Sequence, residues 1–179
     1  FDYVPFGYSK YYENMYVNSI QRMQKQVPET DILFYGASLP KYGNRRKRAI
    51  AYLRQNGLNI TYLGEDENGV YGDERNHWIS KTKIVLVICH LANQEPKEND
   101  LCRLAFLIAN KIFVIVERSG DPEVEDQLAK YVPFCNNMTE MAQLCKKYLE
   151  MNSNERTKIV QNSYENFKKN IACRFIISA

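Results

Sequence analysis

Several signatures that would name a function outright are missing. There is no GxGxxG fingerprint and no glycine-rich loop closing on Lys-Ser/Thr, so dinucleotide oxidoreductases and P-loop nucleotidases have little support. Only two histidines occur, His77 and His90, separated by strand-like sequence, and no CxxC pair accompanies them. Structural zinc needs a fuller ligand set, so no metal site is expected. No uninterrupted apolar run approaches the ~20 residues of a membrane-crossing helix, and no signal peptide is visible. The net charge of +3 is too small to argue for nucleic acid. The five cysteines, Cys89, Cys102, Cys135, Cys145 and Cys173, stand singly and are odd in number. A disulfide framework is therefore not expected. A reducing, cytoplasmic setting is, with Cys89, Cys102 and Cys145 as small buried hydrophobes.

What is present suits one ordinary α/β domain. A chain of 179 residues can bury a full core but is short for two domains. Its 45% hydrophobic and 25% charged residues are those of a globular protein. Phe1 stands in place of a start methionine, as in a processed chain or a fragment of something longer.

The most informative stretch runs from Asp31 to Leu53. Ile32, Leu33, Phe34 and Tyr35 form a short apolar, β-favouring run, ended by Gly36, Ala37 and Ser38, whose small side chains admit close backbone approach. From Asn44 the spacing becomes helical, with Ala49, Ile50 and Leu53 on one face. Arg45, Arg46, Lys47 and Arg48 crowd the first turn. Cations there oppose the helix dipole by about 0.3–1 kcal/mol each. Either an anion offsets them, phosphate being the usual occupant of such a turn, or they form a solvated basic face.

The remaining chain alternates strands and helices. Residues 1–30 read as a connecting segment with helical character from Tyr11 to Gln26, and residues 31–179 as the domain proper. Gly57 suits a helix C-terminus, and Leu58–Leu63 reads as a second strand. The polar loop from Gly64 leads through Tyr71-Gly72-Asp73-Glu74-Arg75 into a short segment ending at Lys81. Lys83–Cys89 is the most hydrophobic strand, as expected of a central parallel strand covered on both faces. A helix over Asp100–Asn110 and an all-apolar strand over Ile112–Val116, closed by Glu117, follow. Tyr131–Phe134 reads as a shorter strand, Asn137 as the cap of a helix over Met138–Met151, and Ser153 as the cap of a last helix over Asn154–Asn170. The fold class is therefore α/β, a Rossmann-like open parallel sheet with helices on both faces and a C-terminal helical pair. Ligands of such sheets lie beyond the carboxyl ends of the strands. Those ends carry Gly36-Ala37-Ser38, the loop from Gly64 to Gly72, Cys89-His90 and Glu117-Arg118-Ser119.

The DILFYGAS strand and turn before Arg45-Arg46, the GVYGDERN loop, the SKTKIVLVICH strand, the DLCRLAFLIANK helix and the IVE strand end occur in an order that resembles a known group. The chain from Asp31 to about Phe167 is similar to the nucleotide-binding half of GT-B type glycosyltransferases, the spore-maturation-like group among them. ERTKIVQNSYENFKK looks like that family's closing helices. The resemblance implies a nucleotide-diphosphate sugar as substrate, with no other cofactor, and sugar transfer to a glycan or other hydroxyl acceptor. The acceptor site and the base would come from an N-terminal acceptor domain or a separate chain.

Donor phosphates would lie near Gly36, Ala37, Ser38, Arg45 and Arg46. Asp100 stands where the family commonly has a glutamate, three residues before an arginine that is Arg103 here, and a carboxylate there suits ribose hydroxyls. Arg103 pairs with phosphate or forms a salt bridge with Asp100 or Glu74, and Arg75 faces the same choice. Tyr71 stacks on the base or forms partial core. Arg46 would stabilise the departing diphosphate, and His90 is either a stand-in base or a hydrogen-bonded structural residue. Two other functions fit the fold: a non-catalytic nucleotide-binding or interaction module, and a nucleoside-processing domain with Glu117 as nucleophile.

Overall fold

The computed structural model describes residues 28–38, 40, 44–64, 69–90 and 101–170. The helix expected over Tyr11–Gln26, Asp100 and Cys173 lie outside the described residues. Five strands, β1 (Thr30–Tyr35), β2 (Ile60–Leu63), β3 (Thr82–Val87), β4 (Val114–Glu117) and β5 (Phe134–Cys135), form one sheet in the order β2-β1-β3-β4-β5. Every neighbouring pair is parallel, with Ile32 beside Ile60 and Ile84, and Val85 beside Val114. Six helices are described: α1 (Arg45–Gln55), α2 (Gly72–Ser80), α3 (Leu101–Ala109), α4 (Pro122–Leu128), α5 (Met138–Glu150) and α6 (Ser153–Asn170). The expected open parallel α/β sheet with its terminal helix pair is what forms.

Strand alternation builds two cores. Leu33, Tyr35, Val85 and Val87 face α2, α3 and α6, where Leu104, Leu107, Tyr164 and Phe167 close the layer. Ile32, Phe34, Ile84 and Leu86 face α1 and α5, against Ile50, Leu53, Met141 and Cys145. Both faces of β1 and β3 are therefore apolar, which is why these strands read as continuous hydrophobic runs.

Several local expectations need correction. Tyr131 and Val132 are buried in a turn, and only Phe134–Cys135 pairs with β4. The cap of α6 is Asn152, whose Oδ1 accepts the Glu155 N–H at 3.0 Å, one residue before the expected Ser153. Helix α4 is an element that apolar periodicity does not announce: Asp121 caps it, Pro122 starts it, and its body is largely polar. Cys89 and Cys145 are buried as expected, and Cys135 is buried too, whereas Cys102, also expected to be buried, is exposed.

Candidate functional site

The strand order sends the chain from β1 outward to β2 and then back across to β3. The crevice at such a reversal, beyond the carboxyl ends of β1 and β3, is where open parallel sheets bind ligands. A cleft of about 370 Å³ opens there, bordered by Tyr35, Gly36 and Ala37 from β1 and its turn. Gly69, Val70 and Tyr71 from the β2–α2 loop, Arg75 from α2, Arg46 from α1, and Cys102, Arg103 and Phe106 from α3 complete the lining. Three of these residues are arginines, and no described lining residue is a carboxylate.

Each arginine is held in place by its surroundings. Arg46 is 4% exposed. Its Nε donates to the Ile88 carbonyl at 2.7 Å and one terminal nitrogen to the Ala37 carbonyl at 3.1 Å, so the side chain bridges the ends of β3 and β1. The same nitrogen meets His90 Nε2. A guanidinium only donates, so Nε2 is the unprotonated nitrogen of that imidazole. Arg103 donates to the Tyr35 carbonyl at 3.0 Å and lies 4.7 Å from the Tyr35 ring centre. Arg75 forks onto Asn76 Oδ1 at 3.2 and 3.0 Å and lies 4.9 Å from the Phe106 ring centre. Stacking on an aromatic face fixes a guanidinium plane while leaving its edge for hydrogen bonding.

Gly36 is where two of these cations meet. Its φ of 139° is unfavourable for a residue with a side chain. A Cβ there would sit 3.5 Å from a terminal nitrogen of both Arg46 and Arg103. The glycine thus supplies backbone at the point where two guanidiniums converge.

The neighbouring expected residues have other positions. Arg45 turns away from the cleft: one nitrogen donates to the Cys89 carbonyl at 2.7 Å and to Glu117 Oε2 at 2.8 Å, and the other pairs with Glu117 Oε1. Glu117, 2% exposed, also accepts the Cys89 N–H at 3.0 Å. This pair of a buried carboxylate and a half-buried guanidinium ties α1, β3 and β4 together. Beside it, burial first and the Glu117 carboxylate second push the Cys135 thiol well above its ordinary range. Ser38 is fully buried, and its Oγ accepts the Lys47 N–H at 3.3 Å. It acts as a remote cap for α1, whose own N-cap Asn44 is left-handed at φ 52° and makes no side-chain cap.

Gly36, Ala37, Arg46, Tyr71, Arg75 and Arg103 are therefore brought together, and Ser38, Arg45 and His90 lie behind them as supports. The sequence reading omitted Tyr35 and Phe106. Phe106 stands three residues after Arg103, one helical turn along the same face, which was a usable signal.

A sequence profile of the glycosyl transferase-like family matches residues 19–176, most of the chain. The chain belongs to the glycosyl transferase-like family. A search of curated proteins finds no match. In this domain the three guanidiniums border the cleft at the reversal of the parallel sheet. A second cleft of about 420 Å³ lies at the opposite end of the sheet, bordered by Lys83, Lys111 and Arg156. Its cations are engaged otherwise: Lys83 pairs with Asp31 at 2.6 Å, Lys111 lies 4.7 Å from the Tyr164 ring, and Arg156 donates to the Tyr148 carbonyl at 2.9 Å. One of the three is thus paired with a carboxylate, whereas no described residue bordering the first cleft is one. Among the described residues, no group of three or more His, Cys, Asp or Glu side chains could hold a metal ion. No described helix is long and apolar enough to cross a membrane.

Proposed function

We propose that the cleft binds the diphosphate of a nucleotide-sugar donor and that the domain serves glycosyl transfer to a hydroxyl acceptor. The observation that carries this reading is the convergence of Arg46 and Arg103 on Gly36, with Arg75 on the facing helix. Guanidinium edges pair with phosphate oxygens in forked geometry, and a glycine backbone lets the phosphate approach. In the reaction the acceptor oxygen bonds to the anomeric carbon as the anomeric carbon–oxygen bond to the diphosphate breaks. The electron pair leaves on the diphosphate, and Arg46 and Arg103 stabilise the charge it gains.

The acceptor proton needs a base. His90 is the candidate among the described residues: it lies behind Arg46 and outside the cleft lining, with its Nε2 lone pair engaged by that arginine. A phosphate that takes over the Arg46 N–H would release that lone pair, which couples donor binding to base activation. A second reading, a non-catalytic nucleotide-binding module of the same fold, draws on one observation: no described residue lining the cleft is a carboxylate or histidine.

Calorimetric titration of Arg46→Ala and Arg103→Ala with nucleoside diphosphates and with the parent nucleosides tests the proposal. A charge-assisted hydrogen bond is worth about 1.5–3 kcal/mol, so each variant should lose about tenfold or more in diphosphate affinity and little in nucleoside affinity. Equal losses for both ligands would remove the phosphate role. Arg103 is partly exposed, so its variant keeps the test sound if loss of the buried Arg46 disturbs folding.

A further inference from the structure

The mouth of the cleft carries a feature that anion binding alone does not use. Among the described residues only two large hydrophobic side chains are exposed, Tyr52 at 37% and Tyr71 at 77%. Tyr52 is tied down through its hydroxyl to Thr139 Oγ1 at 3.0 Å. Tyr71 borders the cleft, and the phenol end of its ring lies over the backbone of Gly69. A Cβ at Gly69 would come 2.6 Å from Tyr71 Cζ, closer than real Cβ contacts allow. Gly69 is thus the residue that lets the ring lie where it does.

Tyr71 also stands one turn before Arg75, whose N–H reaches the Tyr71 carbonyl at 3.5 Å. One turn is about 5.4 Å of rise, an offset that a ribose bridges between a flat base and its phosphates. Resting on the nucleotide-donor reading above, we infer that the Tyr71 ring, held over Gly69, is the platform on which the nucleobase stacks. The ligand then lies with its base at the mouth, on Tyr71, and its diphosphate inside, between Arg75, Arg103 and Arg46. Gly69 sets the position of the platform and touches no ligand itself.

The test titrates the full chain and its Tyr71→Ala, Tyr71→Phe and Gly69→Ala variants with inorganic pyrophosphate and with uridine, guanosine, adenosine and thymidine diphosphates. Losing a base–aromatic stack should lower nucleoside diphosphate affinity about tenfold in Tyr71→Ala. Pyrophosphate affinity should stay within about twofold, since stacking needs a base. Tyr71→Phe should bind as the parent does. Gly69→Ala should melt at the parent's temperature yet lose several-fold in nucleoside diphosphate affinity, because the flexible ring rather than the backbone gives way. Equal losses for pyrophosphate and nucleoside diphosphates in Tyr71→Ala, or no loss for either, overturn the platform and leave the arginine cradle standing. Unchanged nucleoside diphosphate affinity in Gly69→Ala overturns the role given to Gly69 in placing the ring. A parent chain that binds neither pyrophosphate nor any nucleoside diphosphate overturns the platform and the donor reading together.

Discussion

Replacing Glu117 by alanine probes the device that holds the rim of the site together. Its carboxylate is 2% exposed and accepts both arms of Arg45 and the Cys89 N–H, so α1, β3 and β4 meet on one side chain. Removing one partner of a buried ion pair costs about 3–5 kcal/mol, because the other charge stays behind without compensation. The Arg45 side chain keeps 26% of its exposure, and water recovers part of its hydration. The loss therefore belongs near the lower end, about 3 kcal/mol. In a chain of this size each kcal/mol moves the melting temperature by about 2–4 °C, so a fall of about 6–12 °C is expected. Urea denaturation followed by circular dichroism gives the free energy directly, with the slope unchanged if only the native state is affected. Arg45→Ala and the double variant complete a cycle, and the two single losses should exceed the double loss by about 0.5–3 kcal/mol. A Glu117→Ala loss under about 0.5 kcal/mol, the level of an ordinary surface substitution, would refute the pair as an anchor.

Four smaller predictions accompany it. Arg45→Ala should lose less pyrophosphate affinity than Arg103→Ala, since Arg103 borders the cleft and Arg45 points to Glu117; calorimetry on both decides this. Ser38→Ala removes the remote cap of α1 and should cost about 1 kcal/mol in urea denaturation. Among the described thiols, Cys102 should react with a disulfide reagent in the native protein, whereas Cys145, whose pKa burial pushes up to about 12, should react only on unfolding. Backbone and side-chain hydrogen bonds from Asn136 hold the Glu140 carboxyl below its ordinary value. Its contribution to stability is thus complete above the ordinary carboxylate range and is lost as pH falls through the lowered value. Glu140→Gln should be less stable than the parent at neutral pH, and the gap should close in acid.

The fold was legible where burial dictates composition. β1 and β3 are covered on both faces, so their apolar runs are continuous, and α1, α5 and α6 keep a one-sided stripe. Helix α4 was not legible from periodicity, because seven largely polar residues carry no stripe; only the Asp121-Pro122 start announces it. Tyr131 and Val132 show that buried apolar residues in a row need not form a strand, since they pack against α6 from a turn. Within the site, the sequence located the basic helix start but could not separate Arg45 from Arg46. Adjacent residues on a helix point about 100° apart, and only the tertiary arrangement decides which one meets Glu117 and which one meets Ala37. Cys102 illustrates the same limit: a helical pattern implies a buried face, and this residue lies on the face turned to the cleft.

Direct titration of the purified chain with a panel of nucleoside diphosphates, their sugar conjugates and the parent nucleosides tests the central claim most directly. The cleft of guanidiniums predicts micromolar to millimolar affinity, roughly −8 to −4 kcal/mol, for ligands that carry a diphosphate, and much weaker binding of nucleosides. Nucleosides binding as tightly as their diphosphates, or no member of the panel binding, would contradict a donor site at Gly36, Arg46, Arg75 and Arg103.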